Sequence, residues 1–249
     1  MHDLSGITVV SLEQAVAAPY ASARLAEAGA WVIKLERPEG DFARRYDAMV
    51  NGDSAYFVWL NAGKESVTVD LKTDADKALL NRLIGAADVF IQNLAPGAIA
   101  RLGFDPEVLL KRHPSLIICS ISGYGESGPY RHQKAYDLLV QAESGLCAVT
   151  GDGDVQARVG VSMCDISAGM TAYQSILDIR NLPDKSLDRQ ATEQSVNVNS
   201  QIKVLYRAPD FDTAEWGAKQ SGTQFLTVPR FETTNIGKYG EETWGENRM

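Results

Sequence analysis

Short apolar runs alternate with stretches of helical length from residue 7 to about residue 179, and no other feature of the chain restricts its fold as strongly. ITVVSLE (7–13), AWVIKLE (30–36), SVTVDL (66–71), DVFIQN (88–93) and SLIICSIS (115–122) read as strands. Between the first two lies PYASARLAEAGA, a helix opened by Pro19, whose missing N–H costs nothing in a first turn. The spacing predicts a further helix near 74–86, opening at Thr73, and a short helical region after Pro96. The segment carrying Gly40, Gly52 and Gly63 is polar and irregular. A strand, a helix and a strand in succession make neighbouring strands parallel, and strands that are apolar throughout must be covered on both faces. The pattern predicts an α/β fold with a doubly wound, mostly parallel, Rossmann-like sheet. Ligands of such sheets collect past the carboxyl ends of the strands, here Gln14–Pro19, Glu36–Asp41, Asp70–Lys72, Asn93–Pro96 and Gly123–Gly128.

The last of these rims, in CSISGYGESGPY (119–130), has G-x-G-x-x-G spacing at Gly123, Gly125 and Gly128. A dinucleotide fingerprint also needs a helix directly behind the turn, with its N–H groups facing a pyrophosphate. Here Glu126 puts an anion where the phosphate would lie, and Pro129 through Lys134 show no apolar rhythm before Leu138. The glycines therefore read as a connection after a strand, not as a nucleotide site.

Composition narrows the partners. With 45% hydrophobic and 22% charged residues the chain is of globular type, and its net charge of −8 argues against an extended nucleic-acid or anionic-membrane face. The start has no basic segment followed by a long apolar one, and no apolar run is long enough to span a bilayer, so a cytoplasmic protein is expected. Cys119, Cys147 and Cys164 stand in apolar surroundings and read as buried reduced thiols. His2, His113 and His132 form no ligand pair, so no metal is expected.

AYDLLVQAESGLCAV (135–149) reads as a helix, and CDISAGMTAYQSILDI (164–179) as another with Asp165 at its head. Beyond Ile179 the pattern fails: the chain becomes polar, is interrupted by Pro183, and offers at most the short strands IKVLYRA and QFLTVPRF, so a boundary is placed near 180. Asp165 has two readings. It is a helix cap accepting hydrogen bonds from the first free N–H groups, or an anion kept ionised there by the helix dipole and able to attack a thioester. Sequence physics leaves both open.

The stretches LSGITVVSLEQAVAAPYASARLAEAGAWVIKLERPEGD, NAGKESVTVDLKT, ADVFIQNLAPGAIARLGF, SISGYGESGPY, AYDLLVQAESGL and CDISAGMTAY together carry a resemblance. Residues 4 to about 179 resemble the N-terminal part of class III CoA-transferases, the family of formyl-CoA and carnitine CoA-transferases. The resemblance implies that the glycine loop lies beside an acyl-CoA site. It also implies that Asp165 is the nucleophile, moving CoA from an acyl-CoA thioester to a small carboxylic acid through a covalent aspartyl intermediate. CoA is then a co-substrate, and no permanently bound cofactor or metal is needed. Implied contacts with CoA are Val16, Ala17, Arg37, Lys72, Asn93, Leu94, Arg101 and Lys134, with Tyr136 and Asp137 near the reacting acyl group.

Related α-methylacyl-CoA racemases carry a His-Asp pair where this chain has Tyr136-Asp137, and without that histidine the usual base for proton removal is missing. A racemase relative is thus the alternative among enzymes. Family members form interlocked homodimers and continue well beyond this length, and residues 180–249 resemble none of their continuation. The chain accordingly reads as an apparently truncated member, with a CoA-transferase N-terminal α/β domain at 1–179 and a divergent tail at 180–249. An inactive or CoA-binding-only form is the reading from a different class. A mitochondrial matrix or peroxisomal location is compatible with the family as well as the cytoplasm.

Overall fold

The structure is a computed structural model. It describes residues 4–152 and 154–180 and, beyond them, the backbone of Ser195–Asn199, Thr233–Thr234 and Thr243–Trp244. Six strands form one sheet: β1 (Thr8–Leu12), β2 (Trp31–Glu36), β3 (Glu65–Thr68), β4 (Val89–Gln92), β5 (Ile117–Ser122) and β6 (Ser195–Asn199). Their spatial order is β3-β2-β1-β4-β5-β6, and every pairing is parallel. This is the doubly wound arrangement that the apolar runs predict.

Both faces of the sheet are covered over its four inner strands, β1, β2, β4 and β5, which is why these lack polar alternation. On one face Val9, Val32, Ile91 and Cys119 pack with Ala18, Ala21 and Leu25 of α1 (Ala17–Glu27) and with Ala168, Ala172 and Ile176 of a long late helix. On the other, Val10, Ile33, Phe90 and Ile118 meet Leu80 and Ile84 of α3 (Asp74–Gly85), together with Ile99, Phe104 and Leu109. Each fully buried Leu or Ile contributes about 1.5–3 kcal/mol, so two continuous clusters sharing one sheet define the fold. Helix α3 opens at Thr73, whose side chain accepts from the Asp76 N–H (3.2 Å).

Several elements differ from the sequence expectation. The polar segment after Gly40 contains a 3-10 turn (Phe42–Arg45) and a helix, α2 (Ala55–Asn61), capped by the Ser54 hydroxyl. The region after Pro96 holds two helices, α4 (Ala98–Arg101) and α5 (Pro106–Arg112), the second capped by Asp105. The single helix expected over 135–149 is two, α6 (Asp137–Glu143) and α7 (Leu146–Thr150). Gly145, with φ of 80°, takes the left-handed conformation that interrupts them. The late helix is α8 (Met163–Arg180).

Strand β6 falls in a segment that shows no strand pattern at sequence level. Its Val-Asn alternation, only five residues long, is that of an edge strand and too brief to stand out against its polar flanks. The sheet lies within a compact unit spanning Met1–Val204, and a second unit, Leu205–Met249, contains an antiparallel pair, β7 (Thr233–Thr234) and β8 (Thr243–Trp244). The strands expected at 202–208 and 224–231 lie outside the described residues.

Candidate active site

In a sheet of this order β1 and β4 are neighbours, yet the chain leaves them toward opposite edges, which opens a crevice past their carboxyl ends. One side chain spans it. The Asn93 carboxamide, just after β4, accepts from the Gln14 N–H (3.0 Å) and donates to the Gln14 carbonyl (2.8 Å), just after β1. The next residue, Ala15, has φ of 65°, and its N–H is bound by Asp41 Oδ1 (3.1 Å). Val16 and Ala17, both buried, then lead into α1, and among the described residues no side chain caps that helix.

Beside this crevice lies a groove of about 450 Å³ lined by Leu12, Arg37, Val69, Lys72, Leu94 and Leu102, with Pro38, Glu39, Asp70 and Leu71. It brings together three of the implied CoA contacts: Arg37, Lys72 and Leu94. The Arg37 guanidinium donates to the Gly40 carbonyl (3.1 Å) and is otherwise exposed. Arg101, in α4, and Lys134, in the loop before α6, are exposed and are not among the groove's lining residues.

Asp165 lies in the first turn of α8, half-buried, but it is not the cap. That role belongs to Asp137, whose Oδ1 accepts from the Cys164 N–H (2.8 Å) and the Asp165 N–H (3.2 Å). Asp137 is itself held by the buried Gln141 amide, which donates to Oδ2 (2.6 Å) while its own oxygen accepts from the Val159 N–H (2.8 Å). The helix dipole does not keep Asp165 readily ionised, as the sequence reading expects. Burial first, and then the negative charge of Asp137, lift its carboxyl from 3.8 to about 7. Four residues after Asp165, on the same helical face, Gly169 allows α8 to touch α1. A Cβ there would lie 2.5 Å from the Ala17 carbonyl oxygen, so α8 meets the first turn of α1 next to Val16. Tyr136 stands exposed at the start of α6.

Residues 4–197 match the model of CoA-transferase family III. The chain belongs to that family. It is 39% identical over 226 residues to the succinyl-CoA:glutarate CoA-transferase of Mus musculus, covering 87% of this chain and 52% of the mouse protein. With the acetyl-CoA:oxalate CoA-transferase of Acetobacter aceti it shares 39% over 174 residues, covering 69% of this chain and 45% of that protein. The crystal structure of a CAIB/BAIF family protein from Brucella suis superposes with a TM-score of 0.71 at 29% identity, over 94% of this chain and 64% of that one. The chain thus spans about half the length of the curated relatives it matches.

Several features of this family III chain have no counterpart in the sequence reading. Tyr56 reaches the start of α8, its hydroxyl oxygen accepting from the Ser162 N–H (3.3 Å). Tyr46 packs edge-on against Tyr56, with ring centroids 6.3 Å apart, and lies close enough to Asp165 to feel its charge. Burial first, then Asp41 and Asp165, raise the Tyr46 phenol to about 12. Beneath the crevice Glu13, Lys34, Asp41 and Lys64 form a buried ionic cluster. The glycine loop has a steric explanation. A Cβ on Gly123 would lie 1.9 Å from that of Ala135, and the chain runs from β5 to α6 with no intervening helix to face a pyrophosphate.

Proposed function

We propose that the protein moves CoA from an acyl-CoA thioester to a free carboxylic acid, with Asp165 as covalent nucleophile. The single observation that carries this reading is the placement of Asp165. Gly169, four residues on from it along α8, meets the first turn of α1, and Asp165 itself has a carboxyl raised to about 7, with its own N–H and that of Cys164 engaged by Asp137. A carboxylate with its value near ambient pH combines availability with nucleophilicity.

In the proposed sequence an Asp165 oxygen attacks the thioester carbonyl. The C–O bond forms, the C–S bond breaks, and CoA leaves as the thiolate from a mixed anhydride. The thiolate then attacks Cγ of Asp165 and releases the original acid, leaving an aspartyl-CoA thioester. An acceptor carboxylate attacks the same Cγ and expels the thiolate, which takes the acceptor acyl group and regenerates Asp165. The N–H groups at the start of α1, which no side chain among the described residues caps, are suited to a developing oxyanion. Arg37 and Lys72 are suited to CoA phosphates, because an acidic protein must meet an anion through local cations. Asn93 positions Gln14, and Leu94 supplies an apolar wall. On the family resemblance Arg101 and Lys134 are assigned to contacts with CoA, and Tyr136 to the neighbourhood of the reacting acyl group.

Mass spectrometry of the protein mixed with several acyl-CoAs tests the reading. A CoA adduct on Asp165, absent in Asp165→Asn, is the expected result. Exchange of CoA between labelled acids at the parent rate by Asp165→Asn would exclude this role.

A further inference from the structure

We infer that Glu13, Lys34, Asp41 and Lys64 are positioning residues: a buried ionic clamp that fixes the connection from β1 to α1 in the shape needed to receive CoA. The inference rests on the CoA site proposed above, but its observations are separate. All four side chains are no more than 1% exposed. Lys34 Nζ lies 2.8 Å from Asp41 Oδ2 and 3.5 Å from Glu13 Oε1, and Lys64 Nζ lies 2.7 Å from Glu13 Oε1. Two cations and two anions cancel, so the cluster offers no charge to a ligand.

Several of its remaining hydrogen bonds hold the connection and the two elements it joins. Asp41 Oδ1 binds the Ala15 N–H (3.1 Å) and the Ala43 N–H (3.0 Å). Lys64 Nζ donates to the Pro19 carbonyl (2.9 Å) in the first turn of α1, and to Asn61 Oδ1 (3.2 Å). Glu13 Oε2 accepts from the hydroxyls of Ser11 (2.5 Å) and of Ser22 in α1 (2.6 Å). Lys34 also faces the Phe57 ring (5.5 Å to its centroid). With Asn93 holding Gln14 from the other side of the crevice, the chain is gripped at Glu13, Gln14, Ala15 and Pro19. Val16 and Ala17 are left between the grips.

Two physical points separate this arrangement from ordinary stabilisation. Buried ion pairs seldom stabilise a fold more than apolar residues of the same volume would. The backbone they hold is strained, because Ala15 sits at φ of 65°, a left-handed conformation that alanine disfavours. Charge buried to maintain one unfavourable backbone shape at a ligand rim is what a preorganised binding loop requires.

The test compares two double variants in the intact chain. K34M/D41A removes the acceptor for the Ala15 N–H, whereas K34M/D41N keeps an oxygen there, and neither leaves an unpaired charge at these two positions. Free coenzyme A binding by calorimetry should weaken in both variants, at least tenfold in K34M/D41A and by a clearly smaller factor in K34M/D41N, which loses the ion pair but keeps the acceptor, with both unfolding cooperatively. Equal affinity in all three, or equal loss in both variants, would overturn the inference. If K34M/D41A does not fold, Ala15→Pro replaces it. Proline can neither adopt the left-handed conformation nor offer an N–H, and parent-like CoA affinity in that variant would equally overturn the clamp. Amide exchange at Ala15–Ala18 supplies a readout without CoA: faster exchange in K34M/D41A than in K34M/D41N supports the clamp, and identical protection removes it. A parent that binds no CoA would instead refute the proposed function, leaving the clamp to be decided by exchange alone.

Discussion

Replacing Asp165 by Asn should make the protein more stable, and the gain should grow with pH. Burial, followed by the charge of Asp137, lifts the Asp165 carboxyl from 3.8 to about 7. At about 1.4 kcal/mol per tenfold change, the ionised side chain weakens the fold by at most about 4 kcal/mol. Water reaching this half-buried group reduces that to about 2 kcal/mol. The sign follows from which state holds the proton. Below 3.8 the carboxyl is protonated in both folded and unfolded chains, and no penalty exists. Between 3.8 and about 7 the unfolded chain ionises while the folded one retains its proton, so stability falls as pH rises. Above about 7 both are ionised and the loss is complete. Asparagine is neutral throughout and escapes it.

Calorimetric unfolding of the parent and Asp165→Asn at pH 4, 6 and 8 checks this. A gain of about 2 kcal/mol corresponds to roughly 4–8 °C at pH 8, shrinking toward nothing at pH 4. Had Asp165 been the cap of α8, its replacement would be neutral or harmful, and more so at high pH, where a charged cap favours the helix dipole. A variant that melts at or below the parent temperature at pH 8, or one whose advantage is the same at every pH, would refute the reasoning.

Three further outcomes follow from other contacts. Asp137→Asn removes the charge beside Asp165 but not its burial, the larger cause, so the Asp165 titration seen by 13C NMR should move down by on the order of one pH unit; an unmoved midpoint would show that Asp137 exerts no field there. Gly169→Ala forces a Cβ to within 2.5 Å of the Ala17 carbonyl oxygen and should destabilise by about 1–3 kcal/mol as α8 lifts from α1, and an unchanged melting temperature would contradict the close approach. At Glu36 burial would raise the carboxyl, but Arg44, the Ser66 hydroxyl and the Asp41 N–H outweigh it and hold it at about 2. Its contribution is therefore present above 4.5 and lost as pH falls toward 2; Glu36→Gln should destabilise by about 2 kcal/mol at pH 7, given the half-exposed Arg44, with the difference vanishing in acid, and a difference independent of pH would argue against the ion pair.

The sheet is legible because its four inner strands are buried on both faces. Val9 and Val10 face opposite clusters, so neighbours on the strand are both apolar and the run stands out from its surroundings. Elements whose identity rests on one cap or one glycine are less visible. Ser54 opens α2 inside a polar segment, and Gly145 divides a continuous helical pattern by adopting a conformation that other residues avoid. The ionic clamp left a readable trace: Lys34 interrupts an otherwise apolar strand, and a charge in a sheet covered on both faces must find a partner. What the sequence does not state is which acid answers it, since Glu13 and Asp41 meet Lys34 only through the folded chain.

The same limit explains why Asp165 reads as a cap. Spacing shows an aspartate at a helix start, and local capping is then the economical inference. The true cap, Asp137, lies 28 positions earlier than Asp165 and arrives through the break after α6 and the Gln141 amide. This changes the chemistry available to Asp165. A helix start normally stabilises an anion with its own N–H groups, which lowers basicity and dulls a nucleophile. Here a second carboxylate takes two of those N–H groups and adds its own repulsion, so the helix start that would tame Asp165 instead holds it near neutrality. For the proposed acyl transfer that is the useful outcome: attack on the thioester disperses the negative charge of Asp165 onto the departing thiolate and relieves the repulsion from Asp137 in the step that forms the bond.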